Sequence, residues 1–221
     1  FGLSINAGKT QPPQRLLEWI GITIDTVAGQ FTISEDRRRK VTAEIREILD
    51  NGDPTAGELR SCLGRLSWLA MIMRGARAYA SPLFQAIRQR GRRERVRLTE
   101  RDRADLEWFV DKMADDNWVG SKWLEPASDV AYAKSDAGDD AVFLVSGGRF
   151  LYHKLTKKER ALSSHARELL PAALAAEVFG AEWAGHYVAF AFDNSGTAFS
   201  VSSGSTRTDD GARDMLRSIA D

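Results

Sequence analysis

Val130-Ala131-Tyr132-Ala133-Lys134-Ser135-Asp136-Ala137 marks the point where the chain changes texture. Before it, apolar residues mostly recur at helical spacing; after it they come as short β-rich runs. Val130 to Lys134 reads as a strand with Asp136 at its end. Ala141 to Val145 and Phe150 to Lys154 read as two more, joined by a tight hairpin at Gly147-Gly148. Residues 163–179 have a helical pattern. Pro171 is expected to kink or interrupt that helix, because it lacks an N–H and crowds the preceding turn. Tyr187 to Phe192 is a fourth strand, and residues 195–203 and 209–220 are predicted helices. Three strands, a helix, a strand and two helices make an α/β layer whose first three strands can form an antiparallel meander.

Upstream of that layer the signals are helical. Ser34 is a good N-cap, with Glu35 and Asp36 in the first turn, and Val41, Ile45, Ile48 and Leu49 form the apolar face. Asn51-Gly52-Asp53-Pro54 ends this helix. Thr55 with Glu58 forms a capping box, followed by the stripe Leu59, Cys62, Leu63, Leu66, Leu69, Ile72 and Met73. Ser81-Pro82 is expected to start a short helix through Ile87. Thr99 with Asp102 caps another, carrying Leu106, Trp108, Phe109 and Met113, and residues 114–127 form an irregular bridge. Residues 1–33 read as strands and turns. Pro12-Pro13 excludes a helix there. The run Leu17 to Ile24 and Phe31 to Ile33, with a turn at Ala28-Gly29-Gln30, suggest a hairpin.

The formal charge of the 221 residues is zero, but it is unevenly distributed. Residues 35–103 hold 17 Lys+Arg against 10 Asp+Glu, and residues 104–136 hold 3 against 8. The densest basic stretch, expected to be a loop, carries Arg88, Arg90, Arg92, Arg93, Arg95 and Arg97 against Glu94 alone. Such a block suits a nucleic-acid backbone, or equally a solvated helical surface. The single cysteine, Cys62, excludes an internal disulfide and reads as a core residue. No apolar run is long enough to cross a membrane, so no membrane partner is expected. The start, Phe1-Gly2-Leu3-Ser4, has neither Met nor a signal-peptide layout, so the chain is expected to be a piece of something longer.

The candidate chemistry lies in Asp136 and Asp193, each at a strand end, and Glu168, in a helix that must pack on the sheet. Ligands gather at such strand ends in open α/β sheets. Each acid alone suits a structural role; together, in this element order, they favour a divalent-metal site. Asp139 and Asp140 read as turn residues. Asp209, Asp210 and Asp214 could add a ligand, although the first two also suit a helix start. His153 and His165 read as surface or packing residues, since hard cations prefer oxygen.

These segments resemble the C-terminal part of retroelement reverse transcriptases. The RNase H domains of that family carry an Asp at a strand end, a Glu in a helix and an Asp-Asn pair after the fourth strand. The matching stretches are Lys134-Ser135-Asp136-Ala137, His165-Ala166-Arg167-Glu168-Leu169-Leu170 and Phe192-Asp193-Asn194. Gly2 to Thr10 resembles the palm segment after the polymerase aspartates, with Lys9 as its lysine. Leu17 to Asp25 resembles the hairpin that grips the primer. Leu59-Arg60-Ser61-Cys62-Leu63-Gly64-Arg65-Leu66 resembles a thumb helix, and Leu98 to Trp108 resembles the connector of DIRS-type elements. The resemblance implies an α/β, overall α+β, chain in three parts. Residues 1–33 would be a palm tail with a primer-grip hairpin, 34–127 a helical thumb and connection, and 128–221 an RNase H-like mixed sheet with helices.

It implies further that Asp136, Glu168 and Asp193 hold two Mg²⁺ ions (Mn²⁺ as substitute) about 4 Å apart and hydrolyse the RNA strand of an RNA–DNA hybrid. Lys9, Trp19, Gly21 and the six loop arginines would hold hybrid or primer-template duplex. The palm and fingers of the same polyprotein would lie upstream with the polymerase aspartates, in an intracellular setting (cytoplasm or nucleus). The sequence departs from the family at Gly138-Asp139-Asp140, where a small-aromatic-glycine stretch is usual, and at Pro171. A fifth strand, a last helix and a fourth acid are expected beyond Asp221, leaving the RNase H-like layer incomplete. An alternative follows: a scaffold that only positions duplex, its acids no longer catalytic.

Overall fold

The computed structural model describes residues 8, 10–73, 75–115, 120–122, 130–184, 186–206 and 209–220. The N-terminal sheet begins with β1 (Leu16–Trp19), β2 (Ile22–Asp25) and β3 (Gln30–Ile33), all antiparallel. The apolar run from Leu17 to Ile24 is therefore two strands rather than one. Ile20 and Gly21 both take positive φ, 51° and 80°, and reverse the chain between the paired Trp19 and Ile22. That is the geometry of a two-residue hairpin turn, which normally selects Asn-Gly. The next turn is tied by Asp25, whose Oδ1 accepts the N–H groups of Val27 and Ala28, both at 2.9 Å. Paired Ile22 and Ile33 are buried and anchor the sheet to the helical core.

Four helices follow. The first, α1 (Glu35–Asn51), starts at Ser34 and ends at Gly52, whose φ of 76° suits glycine and whose N–H reaches the Ile48 carbonyl. The capping box at Thr55 and Glu58 forms as read, opening α2 (Ala56–Leu69). Leu59, Leu63, Leu66 and Leu69 are fully buried along it, each burial contributing about 2 kcal/mol. A further helix, α3 (Ala76–Ile87), starts five residues before the expected Ser81, so Pro82 sits inside it. Buried Ala76, Ala78, Tyr79 and Ala80 on its first turns fix that early start, because packing outweighs one lost N–H. The box at Thr99 and Asp102 opens α4 (Glu100–Ala114) as expected. Within the stretch read as an irregular bridge, β4 (Ser121–Lys122) pairs with β3 and gives the sheet order β1-β2-β3-β4.

The second sheet holds β5 (Val130–Ala137), β6 (Ala141–Ser146) and β7 (Arg149–Lys154) as an antiparallel meander turned at Gly147-Gly148. The short α5 (Lys157–Arg160) is not among the expected helices, although Thr156 and Glu159 close a capping box on it. The long α6 (Ser164–Trp183) runs unbroken through Pro171, against expectation. Packing on both sides of the proline explains this. Ala166 and Leu169 enter the helical core, Leu170 meets Val142 and Leu155, and Ala175 and Phe179 pack with Ala133 and Leu144. The chain then forms β8 (Tyr187–Ala191), parallel to β5, giving the order β7-β6-β5-β8, and ends in α7 (Ser195–Ser203) and α8 (Asp210–Ala220). The fold is thus mixed α/β: one antiparallel sheet, one mixed sheet and helices between and against them. The face of the second sheet turned away from α6 exposes Tyr132, Phe143, Val145, Phe150 and Tyr152.

The last helix returns to the first bundle. Ala212 and Leu216 share the core of α1 to α4, so helices from both sides of residue 128 build one interior. Polar groups line this seam. The buried Asp105 carboxylate accepts from Arg217 at 2.6 and 2.8 Å. The Arg217 guanidinium lies 5.0 Å from the Tyr79 ring centre, and Tyr79 stacks on Trp108 at 4.0 Å. Arg101 pairs with Asp214, and Arg213 binds Asp210 at 2.6 Å and Gln85 at 2.7 Å.

Candidate nucleic-acid interface and acid corner

The basic loop is held mainly by its backbone, and its arginine side chains are exposed. The first N–H groups of a helix have no partner within it. Here Ala56 N–H donates to the Glu94 carbonyl at 2.8 Å and Gly57 N–H to the Arg92 carbonyl at 2.9 Å. Val96 N–H closes onto the Pro54 carbonyl at 2.8 Å. Thus the loop caps α2, and α2 fixes the loop. Arg60 secures the other end: its Nη2 donates to the carbonyls of Ile87 (3.1 Å) and Arg90 (3.2 Å). The sequence reading missed Arg60, whose partners lie far along the chain. Arg88, Arg90, Arg92, Arg93, Arg95 and Arg97 are all exposed. Arg90 and Arg95 bond only to carbonyls. Among the described residues, none of the six forms a salt bridge, although Arg95, after the Thr55 N–H and hydroxyl, helps to hold the Glu58 carboxyl below its ordinary range.

The hairpin residues are placed as follows. Trp19 is half exposed near the hairpin tip, 6.2 Å from the Trp68 ring, and Ile20 beside it is exposed. Gly21 is required by its φ, and a side chain there would also crowd Arg37. Asp25 of the same motif is a turn-capping residue. Lys9 lies outside the described residues.

Asp136 and Asp193 lie near one corner of the second sheet. Parallel pairing sets Lys134 opposite Ala191, and two residues further along each chain come Asp136 and Asp193, both exposed. Glu168 reaches the adjoining helix: its Oε2 accepts from the Thr197 hydroxyl at 2.7 Å, four residues after Asp193, and Oε1 from Ser164 at 3.3 Å. Asn194 caps α7 through Oδ1, which accepts from Gly196 N–H at 2.7 Å. The donor chemistry, carboxylate oxygen, suits a hard cation. The arrangement does not: among the described residues, no three carboxylate, histidine or cysteine side chains are placed to hold a metal ion.

The remaining candidates have structural partners. Asp139 and Asp140 are turn residues, paired with Arg167 at 3.1 Å and Arg160 at 3.4 Å. Asp210 and Asp214 belong to the α4–α8 seam. Burial pushes the Asp209 carboxyl up, but the Ser163 hydroxyl and the Ala212 N–H outweigh it and hold the group below its ordinary range. His165 bonds to Ser200 at 3.1 Å, and His153 to Glu159 at 3.0 Å. The Thr156 N–H and hydroxyl, with His153, hold the Glu159 carboxyl down at about 2. Burial pushes the Cys62 thiol up to about 12, which excludes it as a nucleophile near neutral pH.

No family model matches the chain, and no curated protein does. Among solved structures it is similar to foamy viral protease-reverse transcriptase. The dRH form with double-stranded DNA matches at TM-score 0.40 and 16% identity, over 80% of this chain and 30% of that one. A second complex with double-stranded DNA matches at 0.40 and 16%, over 80% and 36%. A complex with RNA/DNA hybrid matches at 0.41 and 14%, over 93% and 28%. The chain therefore spans about a third of the length of these structures, and a likeness this loose assigns no activity.

Proposed function

We propose that this chain is the thumb, connection and RNase H-like part of a retroelement reverse transcriptase, and that it holds duplex nucleic acid by its phosphates. The observation that carries this reading is the loop of six exposed arginines, in no salt bridge among the described residues and locked by its own backbone onto the start of α2. An array of exposed guanidinium groups with a large excess of positive charge suits a phosphate backbone and reads no sequence. The motif order from the hairpin to the second sheet supports the choice of family, and the connector Leu98 to Trp108 supports a DIRS-type element. Palm and fingers of the same polyprotein would be its upstream partners, inside the cell. The test is fluorescence anisotropy of a labelled RNA–DNA hybrid across a salt series. Binding should fall linearly on a log–log plot with salt. No binding at about 50 mM salt would remove the proposal.

A second reading adds hydrolysis of the RNA strand with Mg²⁺ or Mn²⁺. It is favoured by the side-by-side course of the strands leading to Asp136 and Asp193, with Glu168 tied to the helix that follows. Among the described residues the three acids are not placed to share an ion, so they would have to draw together around it. Metal-dependent cutting of the hybrid that disappears in Asp136→Asn would establish it; hybrid binding without cutting would leave the holding role alone.

A further inference from the structure

The loop arginines border a groove of about 1150 Å³ between the end of α3 and the start of the loop. Its lining includes Arg60, Arg88 and Arg90 against one acidic residue, Glu94. That carboxylate already accepts the Gly91 N–H at 3.0 Å. Phe84 opens into the same groove and is 38% exposed although it lies on a packed helix. Arg60 fixes the groove by bonding the carbonyls at the end of α3, so the cleft has a rigid floor.

A cationic cleft with one accessible aromatic ring fits an unpaired strand better than a duplex. In a duplex the base faces are stacked on one another, so an aromatic ring meets backbone and base edges but no free base face. In a single strand the bases are free to lie on an aromatic side chain while arginines follow the backbone. We infer that this groove binds a single-stranded tail adjoining the duplex, with Phe84 as the stacking platform and Arg88 and Arg90 on its phosphates.

This inference rests on the duplex-holding reading, and the experiment separates the two. Affinities are measured for a blunt RNA–DNA hybrid, for the same hybrid with a short single-stranded tail on either strand, and for the tail oligonucleotide alone. The unaltered chain should bind one of the tailed hybrids roughly 10-fold more tightly than the blunt one. Phe84→Ala should abolish that gain and leave blunt binding unchanged, and Phe84→Tyr should restore it. Thermal melts of the variants check the fold, which a half-exposed side chain should leave intact. If neither tail adds affinity, or if Phe84→Ala weakens blunt and tailed hybrids equally, the groove is not a strand site. If the blunt hybrid fails to bind, the duplex reading fails. The groove inference is then decided by whether the oligonucleotide alone binds in a Phe84-dependent way.

Discussion

Arg97 and Arg101 are close neighbours in the sequence, yet they belong to two sets of arginines with opposite fates. Arg101, Arg213 and Arg217 meet carboxylates of the α4–α8 seam. The six arginines from Arg88 to Arg97 are exposed, with Arg90 and Arg95 bonded to backbone carbonyls and no salt bridge among the described residues. A charge count treats both sets alike. The structure separates charge that is satisfied inside the protein from charge that remains available to a ligand. Substitutions in the first set should therefore change stability, and substitutions in the second should change binding.

The largest effect is expected at Asp105→Ala. Among the described carboxylates it leaves the mostly buried Arg217 guanidinium only the longer, 3.4 Å contact to the exposed Asp214, which should cost about 3–5 kcal/mol in urea unfolding. A cost below about 1 kcal/mol would mean that the ion pair does not hold α8 to the bundle. The same group gives a pH signature. Burial pushes the Asp105 carboxyl up to about 6, with Arg217 pulling against it. Between about pH 4 and 6 the folded chain keeps a proton that the unfolded chain has released. This group's contribution to stability therefore falls as pH rises through that window. Asp105→Asn should flatten the slope, and an unchanged slope would place its origin elsewhere.

The second set is tested by replacing Arg88, Arg92, Arg93 and Arg97 together with alanine. Hybrid affinity should fall on the order of 10²-fold, with a shallower salt dependence and an unchanged melting temperature. Lost stability with unchanged affinity would invert the comparison. The smallest effect is expected at the hairpin tip. Ile20 is a β-branched residue at φ 51°, a conformation that costs it about 1 kcal/mol or more. Ile20→Asn should stabilise the chain by about that amount, since little burial is lost. If it also weakens duplex binding, the strain is tied to exposing Ile20 and Trp19.

What the sequence made legible was local. The capping boxes at Thr55 and Thr99, the Gly147-Gly148 turn and the strands on either side of it formed as read, because each is decided by residues within a few positions. The Ile20-Gly21 turn escaped because isoleucine is a poor signal for positive φ. The early start of α3 and the continuity of α6 escaped because packing by distant residues overrode Pro82 and Pro171. The loop arginines were legible as a charge run. Arg60 and Phe84 were not, since nothing near them in sequence announces a groove. The acids were legible as a pattern, but the hydroxyl of Thr197 that engages Glu168 was not.

The ion pair between Asp105 and Arg217 joins residues 112 positions apart. On a ribosome adding about 5–20 residues each second, Asp105 emerges roughly 5–20 s before its partner. Through that interval the helices α1 to α4 lack Ala212 and Leu216, and their shared interior stays open. Late arrival of α8 makes this a high-contact-order closure, slow compared with the formation of the helices themselves. The nascent chain thus carries an exposed apolar seam until α8 arrives to cover it.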